Sequence, residues 1–122
     1  MDIEEIIAYC LSKKGAEESF PFDETTLVVK VGGKIFILIS LEGDFWINLK
    51  CDPDRAIELR ESNPSITPGY HMSKKHWNTI VLDGSMTKKL LFEMIDHSYE
   101  LVFKSLPAKV RLEVENLNSD KS

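Results

Sequence analysis

No apolar run in the chain approaches the ~20 residues of a membrane-spanning helix. The opening residues, MDIEEIIAYC, are acidic where a secretion signal carries basic ones, so neither membrane insertion nor export is expected. Cysteine is scarce: Cys10 and Cys51 lie far apart, without the C-x-x-C spacing of zinc or redox sites. Two free thiols in a reducing cytoplasm are the expectation. Glycine-rich phosphate cradles and the G-x-S-x-G of serine hydrolases are missing, and VGGK reads as a turn. Basic charge is the minority, 15 Lys and Arg against 20 Asp and Glu, a net −5 that argues against nucleic-acid binding by bulk charge alone.

What remains is an ordinary globular composition, 43% apolar and 29% charged over 122 residues. That length suits one domain, 1–122, with a frayed tail over about 116–122. Residues 2–14 read as a helix, with Ile3, Ile6, Ile7, Cys10 and Leu11 on one stripe, Asp2 as cap and Gly15 as stop. The stretch AEESFPFDETT reads as a surface connection anchored to the core by Phe20 and Phe22. Two β-rich runs flank Gly32-Gly33, a hairpin signal, and the apolar run 35–39 suits a central strand. After a turn at 42–44 comes a strand with Phe45, Ile47, Leu49 and Cys51 on one face and Trp46, Asn48 and Lys50 on the other.

Asp52-Pro53 opens a short helix that Pro64 cannot continue. Thr67-Pro68-Gly69-Tyr70 suits a type II turn, and HWNTIVL another strand. Ser85 is placed to cap the longest helix, about 86–106, whose apolar stripe has Ser98 at its centre, a hydroxyl able to bond back along its own helix. Beyond Pro107 the stretch AKVRLEVENL can resume helically. The order predicts an α+β domain, an antiparallel sheet flanked by N-terminal and C-terminal helices.

Candidate chemistry is thin. His71 and His76 are spaced for neither face of a helix nor of a strand, so no metal site is expected, and His97 edges a helix stripe as structural histidines do. Cys10 and Cys51 both fall on apolar faces, the usual place of a free cysteine. With no catalytic motif, neither an enzyme nor a cofactor site is expected. The one concentration of binding chemistry is YHMSKKHWN, where Lys74 and Lys75 can neutralise phosphates, Tyr70 and Trp77 can stack, and His71, His76 and Asn78 can hydrogen-bond. Between residues 70 and 89, Lys74, Lys75, Lys88 and Lys89 face Asp83 alone. On residues alone the plainer reading is favoured, a turn entering a core strand with solvated lysines.

The stretches VGGKIFILISLEGDFWINLKCDPDRAIELRES, PGYHMSKKHWNTIVLDGS and MIDHSYELVFKSLP resemble the MmcQ/YjbR family, and the likeness runs from the first helix to about Arg111. The residues that carry it are Pro68, Gly69, Tyr70, His71, Lys74 to Thr79, and Asp96 to Tyr99. The resemblance implies a CyaY-like (frataxin-type) fold, and members are described as binding DNA through a "double wing" arrangement. The acidic ridge of frataxin-type iron sites is thin here, since Lys13 and Lys14 interrupt Asp2, Glu4, Glu5, Glu17 and Glu18. The expectation is therefore a non-catalytic DNA-binding module using Tyr70, His71, Lys74, Lys75, His76, Trp77, Asn78, Lys88 and Lys89. The alternative is a domain that binds a protein or a small anion and has no DNA role.

Overall fold

Antiparallel pairing begins earlier in the chain than the sequence predicts. The structure, a computed structural model, describes residues 3–43, 45–69 and 72–117. The expected cap Asp2, turn residue Asp44, candidate residues Tyr70 and His71, and tail residues 118–122 lie outside the described residues. Helix α1 (Ile3–Leu11) buries Ile6 and Cys10, and the polar stretch Ala16–Ser19 then forms strand β1. The next residues do not anchor to the core as expected: Phe20 and Phe22 are 48% and 66% exposed. The carboxylate of Asp23 accepts from the backbone N–H of Thr25 and of Thr26, at 2.9 and 2.7 Å, and so organises the turn into β2 (Thr26–Val31) with these rings outside it.

Gly32 and Gly33, with φ of 58° and 84°, join β2 to β3 (Lys34–Ser40). Positive φ at both central positions is the type I′ geometry that matches strand twist, and glycine adopts it without steric cost. β4 (Trp46–Lys50) completes the meander. Asp52 caps α2 (Pro53–Ser62) by accepting from the Arg55 N–H, after which β5 (Ile66–Pro68) and β6 (Trp77–Val81) form a second antiparallel pair. The six strands run in the order β1-β2-β3-β4-β6-β5, so β6 inserts between β4 and the edge strand β5.

The expected type II turn at Thr67–Tyr70 is not what the glycine serves. Thr67 and Pro68 belong to β5, and Gly69 has no positive φ. Gly69 is instead required by close approach: a Cβ there would lie 2.6 Å from Trp77 Cβ and 2.8 Å from its carbonyl oxygen. Ser85 likewise does not cap the long helix, because its hydroxyl donates to Asp83. Thr87 caps α3 (Lys88–Ser105) by accepting from the Leu90 N–H at 3.1 Å. After Pro107 the chain resumes as α4 (Ala108–Glu115).

The helices pack on one face of the sheet. Ile37, Ile39, Ile47, Leu49 and Ile80 meet Leu91, Ile95 and Val102 in one buried cluster, with Phe36 edge-on to Tyr99 at 5.3 Å between ring centroids. On the other face the register aligns Ser19, Val28, Leu38, Asn48, Thr79 and Thr67 in one row across all six strands. That row is also buried from Val28 to Thr79. Thr79 Oγ1 donates to Asn48 Oδ1 at 2.6 Å, while Asn48 Nδ2 has no partner among the described residues.

Candidate functional site

The two motifs of the sequence have different fates. Asp96, His97, Ser98 and Tyr99 are consecutive on α3, so their side chains point about 100° apart around the helix. Each grips a different element. Asp96 accepts from the Tyr9 hydroxyl at 2.6 Å and pairs with Lys13, tying α3 to the end of α1. His97 Nε2 accepts from the Asp52 N–H at 3.1 Å, at the start of α2. Tyr99 donates to the Lys14 carbonyl just before β1. Ser98, wholly buried, does not bond back along its helix as expected: its hydroxyl donates to the Phe36 carbonyl and accepts from the Lys50 N–H at 2.9 Å. It thus bridges β3 and β4 just beyond their last direct pair, Ile37 with Leu49.

His97 is a structural acceptor. Burial, with the nearby cations Arg55 and Lys104 adding to it, holds its imidazole below the ordinary histidine range. His97, Cys51 and Asn78 do line one internal space, but its volume is about 10 Å³, room for one water at most. Burial pushes the Cys51 thiol up, so this trio offers no reachable nucleophile. The Cys10 thiol, also buried, is pushed up to about 12. Among the described residues no group of three His, Cys, Asp or Glu side chains could hold a metal ion, and no helix is long and apolar enough to cross a membrane.

The second motif borders an open region. Lys74, Lys75 and His76 are exposed in the loop before β6, and the His76 carbonyl accepts from the Cys51 N–H at 2.7 Å. Trp77 and Asn78 are only 7% and 2% exposed. Asn78 points to the helical side, where its Oδ1 accepts from Arg60 Nε at 2.7 Å, so it supports the strand rather than a contact surface. Trp77 points the other way and lies opposite Lys50 in the β4–β6 register.

There Trp77 joins Lys30, Lys34, Lys50, Met72 and Ile35 around a cavity of about 430 Å³. It lies at the end of the sheet where the Gly32-Gly33 hairpin and the β4 end meet Val102 and Ser105 of α3. Lys34 Nζ reaches the Ser105 carbonyl at 3.5 Å. Glu17 stands across from Lys30 in the β1–β2 register, yet among the described residues neither Lys30, Lys34 nor Lys50 has a carboxylate within ion-pair distance. A second cavity of similar volume shares Met72 and is lined by Phe22, Leu38, Ser40 and Trp46.

Of the expected contact residues, the structure brings Lys74, Lys75, His76 and Trp77 to the sheet end that bears this cavity. It does not bring Lys88 and Lys89 there. Both occupy the first turn of α3, seventeen and sixteen residues from Ser105 and hence about 25 Å along the helix axis. Lys88 is paired with Glu5 of α1. The residues that sequence reasoning missed are Lys30, Lys34, Lys50 and Met72. A signal for Lys50 was present, since alternation along β4 sets it on the face away from Leu49.

The family model YjbR matches residues 11–101. The chain belongs to the YjbR family. It is 33% identical to YjbR of Escherichia coli K12 over 112 residues, 91% of this chain and 95% of that protein. It is 43% identical to YbdF of Escherichia coli O157:H7 over 91 residues, 74% and 75% of the two chains. In structure it resembles the crystallised Deinococcus radiodurans protein DR2400, with a TM-score of 0.87 and 39% identity over 93% of this chain and 87% of that one.

Proposed function

We propose that this YjbR-family chain is a non-catalytic DNA-binding module whose contact surface is the lysine-lined end of the sheet. The observation that carries the reading is the convergence of Lys30, Lys34 and Lys50, from three different strands, on one cavity edged by Trp77. Three ammonium groups with no carboxylate partner among the described residues repel one another and favour an anion between them. Lys74 and Lys75 extend the positive surface along the adjoining loop. The rest of the chain is acidic enough to leave a net charge of −5, which orients the domain toward a polyanion and discourages indiscriminate contact. Phosphate contacts of this kind supply affinity and salt dependence, not base sequence preference.

The test is fluorescence anisotropy with labelled DNA at low and physiological salt. Lys34→Glu with Lys50→Glu, and separately Lys74→Glu with Lys75→Glu, should abolish or strongly weaken binding. Lys89→Glu, at the far end of α3, should leave it unchanged. Unaltered affinity in both double variants, with each still folded, rejects the reading.

A further inference from the structure

Resting on that reading, we infer that the lysine-lined cavity takes a single unpaired nucleotide of a DNA strand, its phosphate among Lys30, Lys34 and Lys50 and its base against Trp77. The shape of the site decides this. Phosphates of an intact duplex run along a convex backbone and are met by exposed side chains on a surface, whereas these lysines edge an open depression. At about 430 Å³ the hollow falls in the size range of small-molecule sites, ~300–1,000 Å³.

Its wall is also of two kinds. Lys30, Lys34 and Lys50 supply charge, while Ile35, Met72 and Trp77 supply apolar and aromatic surface. A phosphate alone makes no use of the second set, and an apolar ligand makes no use of the first. A nucleotide uses both, since its base can lie on Ile35, Met72 and the exposed margin of the largely buried Trp77 while its phosphate sits a short distance away. In a duplex both faces of a base are already covered by its neighbours, so occupancy requires flipping the base out and losing its pairing. A single strand presents its bases without that loss.

The experiment uses the full chain with Trp46→Phe, which leaves Trp77 as the one tryptophan. Labelled dT12, a 12-base-pair duplex and free dAMP are titrated in parallel, with anisotropy and Trp77 emission as readouts. The expected result is dT12 bound at least tenfold more tightly than duplex, with Trp77 emission quenched on binding. Lys30→Glu with Lys50→Glu should remove both the affinity and the quenching. Single-strand binding should weaken with salt at a log–log slope of about −0.7 for the one phosphate held in the cavity.

Equal affinity for duplex and single strand, with Trp77 emission unchanged, overturns the inference and leaves DNA binding standing. If neither DNA binds but dAMP quenches Trp77 in a lysine-dependent way, the DNA reading falls and the cavity's ligand is a free nucleotide. Absence of binding by all three probes overturns both. Should Trp46→Phe fold poorly, the same anisotropy comparison in the unmodified chain decides between strand forms.

Discussion

The two faces of the sheet are built on opposite terms. On the helical face the motif Asp96 to Tyr99 spends its four side chains joining α3 to α1, α2, β1 and the β3–β4 pair, while the buried Nδ2 of Asn78 there has no partner among the described residues. On the other face Asn48 keeps an amide donor without a described partner and two cavities flank Met72, and at the sheet end Lys30, Lys34 and Lys50 have no carboxylate within ion-pair distance among the described residues. Both faces carry a recognisable motif, so recognisability alone does not separate a binding residue from a structural one. Partner-counting does. Where a conspicuous side chain has its hydrogen bonds satisfied inside the fold, its role is to hold that fold.

The sharpest way to break the comparison is Ser98→Ala. It leaves the Lys50 N–H and the Phe36 carbonyl without their shared partner in a fully buried position. At about 1–3 kcal/mol for each orphaned group, urea denaturation should register a loss of about 2–6 kcal/mol. A change under about 0.5 kcal/mol would show that the strands simply close over the gap. Gly69→Ala comes next. Its Cβ would press on the Trp77 backbone, which cannot rotate away, and a cost of about 1–3 kcal/mol is expected in the same assay. Near-ultraviolet circular dichroism should report the displaced Trp77 ring.

A smaller effect follows from His97. Its folded-state pKa lies below its unfolded value, so the unfolded chain binds the proton first as pH falls. The stability it contributes is therefore complete above about pH 6.5, the unfolded value, and is lost as pH drops through the folded value. Unfolding curves at pH 7.5 and pH 5.5 should differ by more in the native chain than in His97→Gln. Least of all should stability respond to Lys34→Glu with Lys50→Glu, within about 0.5 kcal/mol, since these ammonium groups hold no ion pair among the described residues. The same variant is the one expected to lose DNA. That dissociation of stability from binding is what the contrast between faces predicts.

Much of this architecture is legible in the sequence because its signals are local. Gly32-Gly33, Asp52-Pro53 and the α3 stripe each announce themselves within a few residues, and all three stand where expected. β1 escapes notice because Ala16–Ser19 is a polar edge strand, made a strand by pairing with β2 rather than by its own pattern. Ser98 is visible as an oddity on an apolar stripe, but its partners lie 48 and 62 positions away. Lys30, Lys34 and Lys50 are unremarkable singly, and only strand register makes them neighbours. Lys88 and Lys89 err in the opposite sense: close to Lys74 and Lys75 in sequence, they are carried off by the rise of a helix.

Lys50 occupies a position that no other lysine of the cavity shares. Its amide is clasped from the helical side by Ser98, while its side chain borders the hollow on the far side. The residue is thus a rivet through the sheet, and its amide proton becomes a gauge readable from either end. Loosening of α3 should speed its exchange with deuterated solvent, and filling of the hollow should slow it, although no ligand atom need touch the amide.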